Sequence, residues 1–221
     1  MFLAAATLAA LSFAQDAIFI NVADTHSAYD AYPKIISAVW GIVATNPQAD
    51  AYVVFNGDAF ELGNTLASRN AGELDWEFLV RLNAIAPVIF NVGNHEFDKG
   101  WEDLQVRIQE ALDAPVLGAN VYAKGTQTPV LPEYAMLEAS GLRVAVIGVV
   151  TEETPTLVTP THVADLDFGD PVDAVNRVVA QLNALPEGER PDIIVAEYHE
   201  GATEDQAAGV TLQGQIEASP V

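Results

Sequence analysis

The chain has 221 residues, 50% of them hydrophobic, which is enough to bury the core of one domain of ordinary size. Its 31 acidic residues outnumber nine basic ones, giving a net charge of -22, so a basic surface that could bind a nucleic-acid polymer is not expected. Cysteine is absent, which excludes disulfides, thiolate metal ligands and a cysteine nucleophile.

Residues 1–14 form an apolar run without a charged side chain, followed by polar Gln15 and Asp16. The run is too short to span a bilayer core of about 30 Å, but it has the length of the apolar region of a signal peptide. We therefore predict a signal peptide over residues 1–14, cleaved after Ala14, and an exported domain over residues 15–221, periplasmic or extracellular, with no stable membrane anchor. A buried N-terminal segment is the alternative, because no Lys or Arg precedes the run.

Beyond residue 15, apolar runs alternate with amphipathic stretches, which is typical of an α/β fold. The runs are rich in Val, Ile and Phe, as in strands covered on both faces. They predict strands over residues 17–22, 51–55, 88–92, 115–119, 134–138, 143–149 and 192–196, of which the fifth and sixth read as a hairpin. Helical spacing predicts helices over residues 33–45, 74–85, 101–112 and 172–185. Residues 123–132 and 152–171, rich in Thr, Pro and Asp, are expected to be surface loops.

Polar side chains follow four of the predicted strands, just past the point where each strand ends. In chain order they are Asp24 and His26, then Asp58, then Asn94 and His95, and finally His199. Open α/β sheets gather their ligand-binding groups at this edge. Carboxylates and imidazoles bind divalent transition metals, and one carboxylate can bridge two ions. The set therefore predicts a metal site, whereas the fourth histidine, His162, lies in a polar loop and is expected at the surface.

The order of these motifs is similar to that of a known family. The motifs are Asp24-x-His26, Gly57-Asp58, Gly93-Asn94-His95-Glu96-Phe97-Asp98 and the later His199. Together they resemble the calcineurin-like metallophosphoesterase superfamily, and the third motif resembles its 5'-nucleotidase branch. Residues 118–122, 143–151 and 191–196 resemble that branch in the same order. The resemblance covers roughly residues 17–205 and implies a layered sandwich of mostly parallel β-sheets flanked by helices.

The resemblance also implies a centre of two divalent ions, of Mn, Zn or a similar metal. Asp24 and His26 would bind one ion, Asn94 and His199 would bind the second, and Asp58 would bridge them. Such a pair lowers the pKa of a bound water and holds the phosphoryl oxygens. The two cations would also offset the acidic charge of the chain, so that a small anionic substrate could bind.

Three further residues of the third motif need separate roles. By resemblance, His95 is not a ligand but stabilises charge that develops on the leaving oxygen, and Asp98 holds its ring and favours its protonated form. The alternative for Asp98 is an N-terminal cap of the helix that follows. Glu96 is expected only to accept backbone hydrogen bonds.

The activity implied by the resemblance is metal-dependent hydrolysis of a small phosphate ester, of the 5'-nucleotidase or 2',3'-cyclic nucleotide phosphodiesterase type. Thiosulfohydrolase-like relatives, which act on sulfur esters, are a variant of this hypothesis. A catalytically silent binding or scaffold domain is the alternative from another class. It arises because family members carry a further Gly-Gly-His-x-His or Gly-Gly-His-x-Gln segment after the equivalent of His199, and the printed sequence does not contain one. We expect the chain to be a fragment, incomplete at its C-terminus, of a longer enzyme.

Overall fold

The structure is a computed structural model that describes residues 16–110 and 112–201. In chain order the strands are β1 (Ala17–Val22), β2 (Asp50–Asn56), β3 (Val88–Asn91), β4 (Val116–Leu117), β5 (Val121–Ala123), β6 (Tyr134–Ala139), β7 (Leu142–Val150), β8 (Leu166–Phe168) and β9 (Ile193–His199). The helices are α1 (Tyr32–Thr45), α2 (Thr65–Asn70), α3 (Glu73–Asn83), α4 (Trp101–Glu110), α5 (Thr154–Leu157) and α6 (Pro171–Asn183). The predicted signal peptide, and the expected incompleteness at the C-terminus, concern residues outside the described ranges and stay predictions.

The strands form two principal sheets. Strands β1 to β4 make a parallel sheet in the order β1-β2-β3-β4. In the second sheet β7 is central, antiparallel to β6 and parallel to β9. Strands β5 and β8 form a short antiparallel pair. The last residues of β2 and β3, Asn56 and Asn91, are paired with each other. The last residues of β7 and β9, Val150 and His199, are paired in the same way. Within each sheet, the loops that follow these strands therefore begin side by side.

The two sheets pack face to face, and helices cover their outer faces. The centre of strand β2 shows why three consecutive apolar residues are needed there. Val53 and Phe55 pack in the cluster that includes residues of α1 and α3, whereas Val54 packs in the cluster between the sheets. Alternate side chains of a strand point to opposite faces, so a strand buried on both faces needs an unbroken apolar run. On the far side, Val175 of α6 packs against the second sheet.

This arrangement confirms the predicted α/β sandwich. Each predicted strand and helix is present within a few residues, although β4 has only two residues of the five expected. The first sheet is wholly parallel, as predicted, and the second is mixed because β6 and β7 form the predicted hairpin.

The prediction of a surface loop over residues 152–171 is wrong in part. That segment contains α5, a 3₁₀ turn over Pro160–Val163 and strand β8, whose Leu166 is buried. Strand β8 is too short to show a periodic pattern, and its backbone pairs with the distant β5. His162, expected at the surface, is half-buried, and its Nδ1 atom has no hydrogen-bond partner among the described residues. Within the described ranges, no helix is both long and apolar enough to cross a membrane.

Candidate metal centre

The predicted ligands meet at the carboxyl ends of β1, β2, β3 and β9. Asp58 lies at the centre and is 3% exposed. Its Oδ2 atom is 3.2 Å from Nε2 of His199 and 3.8 Å from Nε2 of His26. The same nitrogen of His26 is 3.6 Å from Oδ1 of Asp24. Two strands of the first sheet and one of the second therefore bring their polar side chains to one point.

Two groups of donor atoms share Asp58. Asp24, Asp58 and His199 offer atoms that all lie within 4.8 Å of one another, and so do His26, Asp58 and His95. A carboxylate common to both groups is what a bridging ligand requires, because its two oxygens can face two ions. The grouping differs from the sequence-based assignment, which joined Asp24 with His26 and left His95 out.

A cavity of about 500 Å³ opens on this cluster. Four of the five predicted ligands line it, namely Asp24, Asp58, Asn94 and His199. Thr151 and Tyr198, at the ends of β7 and β9, lie on its wall as well. Neither Lys nor Arg is among the described residues that line the cavity, so a bound anion would depend on cations supplied by the cluster itself.

The ring of His199 is held so that one nitrogen faces Asp58. Its Nδ1 lies 2.8 Å from the backbone oxygen of Asn56, which leaves Nε2 turned to the carboxylate. Burial lowers the pKa of His199, but the hydrogen bond and the charge of Asp58 outweigh it and raise that pKa to about 9. Burial likewise raises the pKa of Asp58, and His199 more than offsets this, so the pKa ends below its ordinary value. A proton and a metal cation compete for the same nitrogen.

His95 and Asp98 form a second pair beside the cluster. Nδ1 of His95 is 2.9 Å from Oδ2 of Asp98, and that oxygen also accepts the backbone N–H of Leu62 at 2.9 Å. The hydrogen bond to Asp98 is the largest cause that raises the pKa of His95 to about 9, against the effect of burial. Among the described residues, the hydrogen bonds of Asp98 go to His95 and Leu62 and not to the start of α4, where the capping alternative would place them.

Glu96 fastens two of the loops to each other. Its buried carboxylate accepts the backbone N–H groups of Asp58 and Ala59, both at 2.9 Å, and that of Gly93 at 2.6 Å. Burial raises the pKa of Glu96 to about 7. The role expected from the sequence, acceptance of backbone hydrogen bonds, agrees with these contacts.

The loops of the centre are strained and tightly packed. Asp24, His26 and Asp58 have positive φ angles of 52°, 43° and 53°, a region that residues other than glycine rarely adopt and that clusters at functional sites. Gly93 approaches Asp58 so closely that a Cβ atom on it would lie 2.2 Å from Oδ1. Neither feature can be read from residue types alone.

Asn56 was not singled out from the sequence, yet it lines the cavity and holds His199 through its backbone oxygen. The sequence feature that could have identified Asn56 is its position at the end of a buried strand, directly before Gly57-Asp58.

The donor set fits a divalent metal. It combines carboxylates, imidazoles and one amide, which suit hard to borderline cations such as Mn²⁺ and Zn²⁺. A histidine whose second nitrogen is hydrogen-bonded to a backbone carbonyl, as His199 is, has the arrangement usual for a metal-bound imidazole.

Comparison with known proteins gives one family. The family model of calcineurin-like phosphoesterases matches residues 19–210. The 5'-nucleotidase of Vibrio vulnificus is 36% identical over 125 residues, which cover 57% of this chain and 22% of that protein. Protein UshA of Yersinia enterocolitica is 34% identical over 136 residues, which cover 62% of this chain and 24% of that protein. The matched region thus spans about a quarter of these relatives.

Solved structures show the same fold. The 5'-nucleotidase precursor of Thermus thermophilus is 26% identical with a TM-score of 0.66, and the match covers 85% of this chain and 38% of that one. The calcineurin-like phosphoesterase YfkN of Bacillus subtilis is 20% identical with a TM-score of 0.67, and the match covers 84% of this chain and 62% of that one.

Proposed function

The chain belongs to the calcineurin-like phosphoesterase family, and from that premise we propose that the full-length protein hydrolyses small phosphate esters with the help of two divalent ions. The observation that carries the proposal is the convergence of two donor groups on the shared, buried carboxylate of Asp58. Two of the relatives are named 5'-nucleotidase, which supports a nucleotide, either a 5'-monophosphate or a 2',3'-cyclic phosphate, as the substrate.

Five side chains would hold the ions. Asp24 and His26, whose Oδ1 and Nε2 atoms lie 3.6 Å apart, would bind one, Asn94 and His199 the other, and Asp58 both. The donor groups formed by atoms within 4.8 Å divide these residues differently, placing Asp24 with His199 and His26 with His95, and they share Asp58 in the same way. The bound ions would supply a water of lowered pKa and positive charge for the phosphoryl oxygens. Glu96 would keep Asp58 in place, since it ties the backbone of residues 58 and 59 to that of Gly93.

His95 would act on the substrate directly. Its Nδ1 is occupied by Asp98, so Nε2 is the atom that can donate a hydrogen bond. A protonated imidazole beside the cluster can stabilise negative charge on the leaving oxygen, and the hydrogen bond to Asp98, which raises the pKa of His95 to about 9 in the metal-free site, favours that form. Asp98 would orient the ring without touching the substrate.

The cavity suits a ligand of nucleotide size. Its volume of about 500 Å³ lies within the range of roughly 300 to 1,000 Å³ common for small-molecule sites. The phosphate would sit at the end formed by Asp58 and Asn94, and the remainder of the substrate would extend towards Tyr198 and Thr151.

The test combines binding with hydrolysis. Mn²⁺ and Zn²⁺ are titrated into the full-length protein by calorimetry, and the loaded protein is assayed with AMP, 2',3'-cyclic AMP and a thiosulfate ester. Asp58→Asn should abolish tight binding and activity. Asp30→Asn removes an exposed carboxylate that lies 4.0 Å from the ammonium group of Lys34 and should change neither. Metal binding without hydrolysis of any ester would favour the silent domain, and cleavage of the sulfur ester alone would favour the thiosulfohydrolase variant.

Export is a separate proposal that rests on residues 1–14. Protein recovered from a host with a secretion pathway should begin at Gln15 or a neighbour, because the apolar run ends in a small residue. Intact-mass measurement decides this, and a cytoplasmic product that retains Phe2 would refute it.

A further inference from the structure

Asn56 joins the two sheets directly beneath the candidate metal centre. Its side-chain NH₂ donates to the backbone oxygen of Tyr198 at 3.0 Å, across from β2 to β9. Its side-chain oxygen accepts from Nδ2 of Asn91 at 2.8 Å. Both groups of the amide are therefore used, one within the first sheet and one between the sheets.

Asn91 supports this link from the neighbouring strand. It is fully buried, and its NH₂ group also lies 2.9 Å from the backbone oxygen of Val149 and 3.2 Å from that of Glu197. The two asparagines thus reach both β7 and β9 of the second sheet. These hydrogen bonds favour one relative position of the strands that they join, because a shift that breaks one of them leaves a buried group unpaired. Oδ1 of Asn91 already has no hydrogen-bond partner among the described residues, so the link rests on the NH₂ groups of the two asparagines.

The position that they fix is that of His199. Asn56 holds two successive residues of β9: its side chain binds Tyr198, and its backbone oxygen lies 2.8 Å from Nδ1 of His199. A Cβ atom on the neighbouring Gly57 would lie 2.5 Å from that same Nδ1. Nδ1 of His199 is therefore held on one side of the ring, and its Nε2 lies 3.2 Å from Oδ2 of Asp58.

We propose that Asn56 is a positioning residue for His199, supported by Asn91, and that it sets the affinity for the ion that His199 would bind. The inference rests on the proposed metal centre. It gives Asn56 an indirect role, in which Asn56 neither binds an ion nor contacts the substrate but holds the strand that carries His199. The link acts across the sheets, so it determines where a ligand from the second sheet stands relative to the ligands of the first.

Asn21 provides a matched control. It also joins the sheets through one side-chain hydrogen bond, from its Nδ2 to Oε2 of Glu197 on β9 at 3.0 Å. It touches neither Tyr198 nor His199 in the hydrogen-bond network of the described residues. Asn21→Ala and Asn56→Ala each delete one side-chain hydrogen bond between the sheets, but Asn56→Ala also removes the acceptor of Asn91 Nδ2. Because Asn21 is exposed and Asn56 is half-buried, a purely structural role predicts a larger loss of stability in Asn56→Ala and unchanged Mn²⁺ affinity in both variants.

The experiment measures the Mn²⁺ affinity of the full-length protein by calorimetry and its stability by urea unfolding, for the wild type and both variants. We expect the urea midpoint to fall in both variants, and the dissociation constant for Mn²⁺ to rise about tenfold in Asn56→Ala alone, at the lower end of the effects of removing groups that orient metal ligands. Asn56→Thr, which suits a strand and cannot span both partners, should reproduce the loss if the alanine variant does not fold. Equal Mn²⁺ affinity in the Asn56 and Asn21 variants would overturn the proposal.

A readout without metal separates this inference from the proposed function. The ¹⁵N signals of the His199 ring report its tautomer and the hydrogen bond at Nδ1, and they should shift in Asn56→Thr and stay unchanged in Asn21→Ala. If the full-length wild-type protein binds no Mn²⁺, the proposed function fails, while the ring signals still decide whether Asn56 positions His199. Unchanged ring signals in Asn56→Thr would refute the positioning role even if the metal centre exists.

Discussion

The imidazole of His95 and the carboxylate of Asp98 form a hydrogen-bonded pair, with Nδ1 2.9 Å from Oδ2. The ring of His26 packs edge-on against that of His95 at a centroid distance of 5.1 Å. His95 therefore stands between a group that orients it and a candidate metal ligand. Its geometry permits either of two roles, contact with the substrate or ligation, and the neighbouring Asn94 offers the comparison that separates them.

The first prediction assigns metal binding to Asn94 and stabilisation of the transition state to His95. Asn94→Ala should lower the metal content of the protein, because the amide oxygen is lost as a ligand. In the complete enzyme, His95→Ala should leave metal content near normal and reduce kcat by roughly 10² to 10³, the usual cost of removing one group that stabilises a transition state. Elemental analysis of both variants, with initial rates on AMP, checks this. If His95→Ala loses metal as fully as Asn94→Ala does, His95 is a ligand, as its grouping with His26 and Asp58 permits.

The second prediction concerns the carboxylate of Glu96. Glu96→Ala leaves the backbone N–H groups of Asp58, Ala59 and Gly93 without their acceptor. An unsatisfied buried donor costs about 1 to 3 kcal/mol. The free energy of unfolding of Glu96→Ala should therefore be lower than that of the wild type by about 3 kcal/mol or more, as measured by urea denaturation. Glu187→Ala, at an exposed position in the loop after α6, should stay within about 0.5 kcal/mol of the wild type. A similar stability for both variants would mean that water replaces the carboxylate at little cost.

The roles of Glu96 and Asn56 differ in how well they can be predicted from the sequence. Glu96 belongs to a motif that marks a tight turn, so acceptance of backbone hydrogen bonds was the natural expectation for it. Asn56 ends an apolar strand, and its function depends on Tyr198, which is 142 residues away. A local pattern carries no information about such a partner. The strand ends were predictable from period and composition, whereas the pairing of β5 with β8 and the positive φ angles of Asp24 and His26 depend on tertiary contacts.

The third prediction is a pH dependence away from the candidate centre. Asp75, on α3, is 1% exposed and accepts hydrogen bonds from Tyr29 and Tyr32. Burial raises the pKa of Asp75 above 3.8, although the two tyrosines act in the opposite direction. The folded state therefore holds this proton more tightly than the unfolded state, and the contribution of Asp75 to stability falls as the pH rises above 3.8 towards its folded pKa.

Asp75→Asn removes that titration. The difference in unfolding free energy between the variant and the wild type should therefore move in favour of the variant as the pH rises from about 4 to about 7, the interval above the ordinary pKa of an aspartate. Urea denaturation at several pH values measures the difference, and titrations common to both proteins cancel. A difference that does not change with pH would show that Asp75 has the same pKa in the folded and unfolded states.

The last prediction compares a glycine that has no room for a side chain with one that has space around it. Gly93 has no room for a side chain, since an added Cβ would lie 2.2 Å from Oδ1 and 2.6 Å from the backbone nitrogen of Asp58. Gly41 lies within α1, and an added Cβ there would meet no atom within 4 Å. Gly93→Ala should lower the unfolding free energy by about 1 to 3 kcal/mol, as overpacking does, and weaken Mn²⁺ binding because Asp58 must move.

Gly41→Ala should instead raise the unfolding free energy by about 0.5 to 1 kcal/mol, because alanine restricts the unfolded chain and favours the helix, and leave Mn²⁺ binding unchanged. Urea denaturation and calorimetric titration of both variants supply the four values needed. If Gly93→Ala loses stability and still binds Mn²⁺ with wild-type affinity, the carboxylate of Asp58 can shift without consequence. Asp58 would then not be the ligand shared by both ions, since a bridging carboxylate must keep both of its oxygens in place.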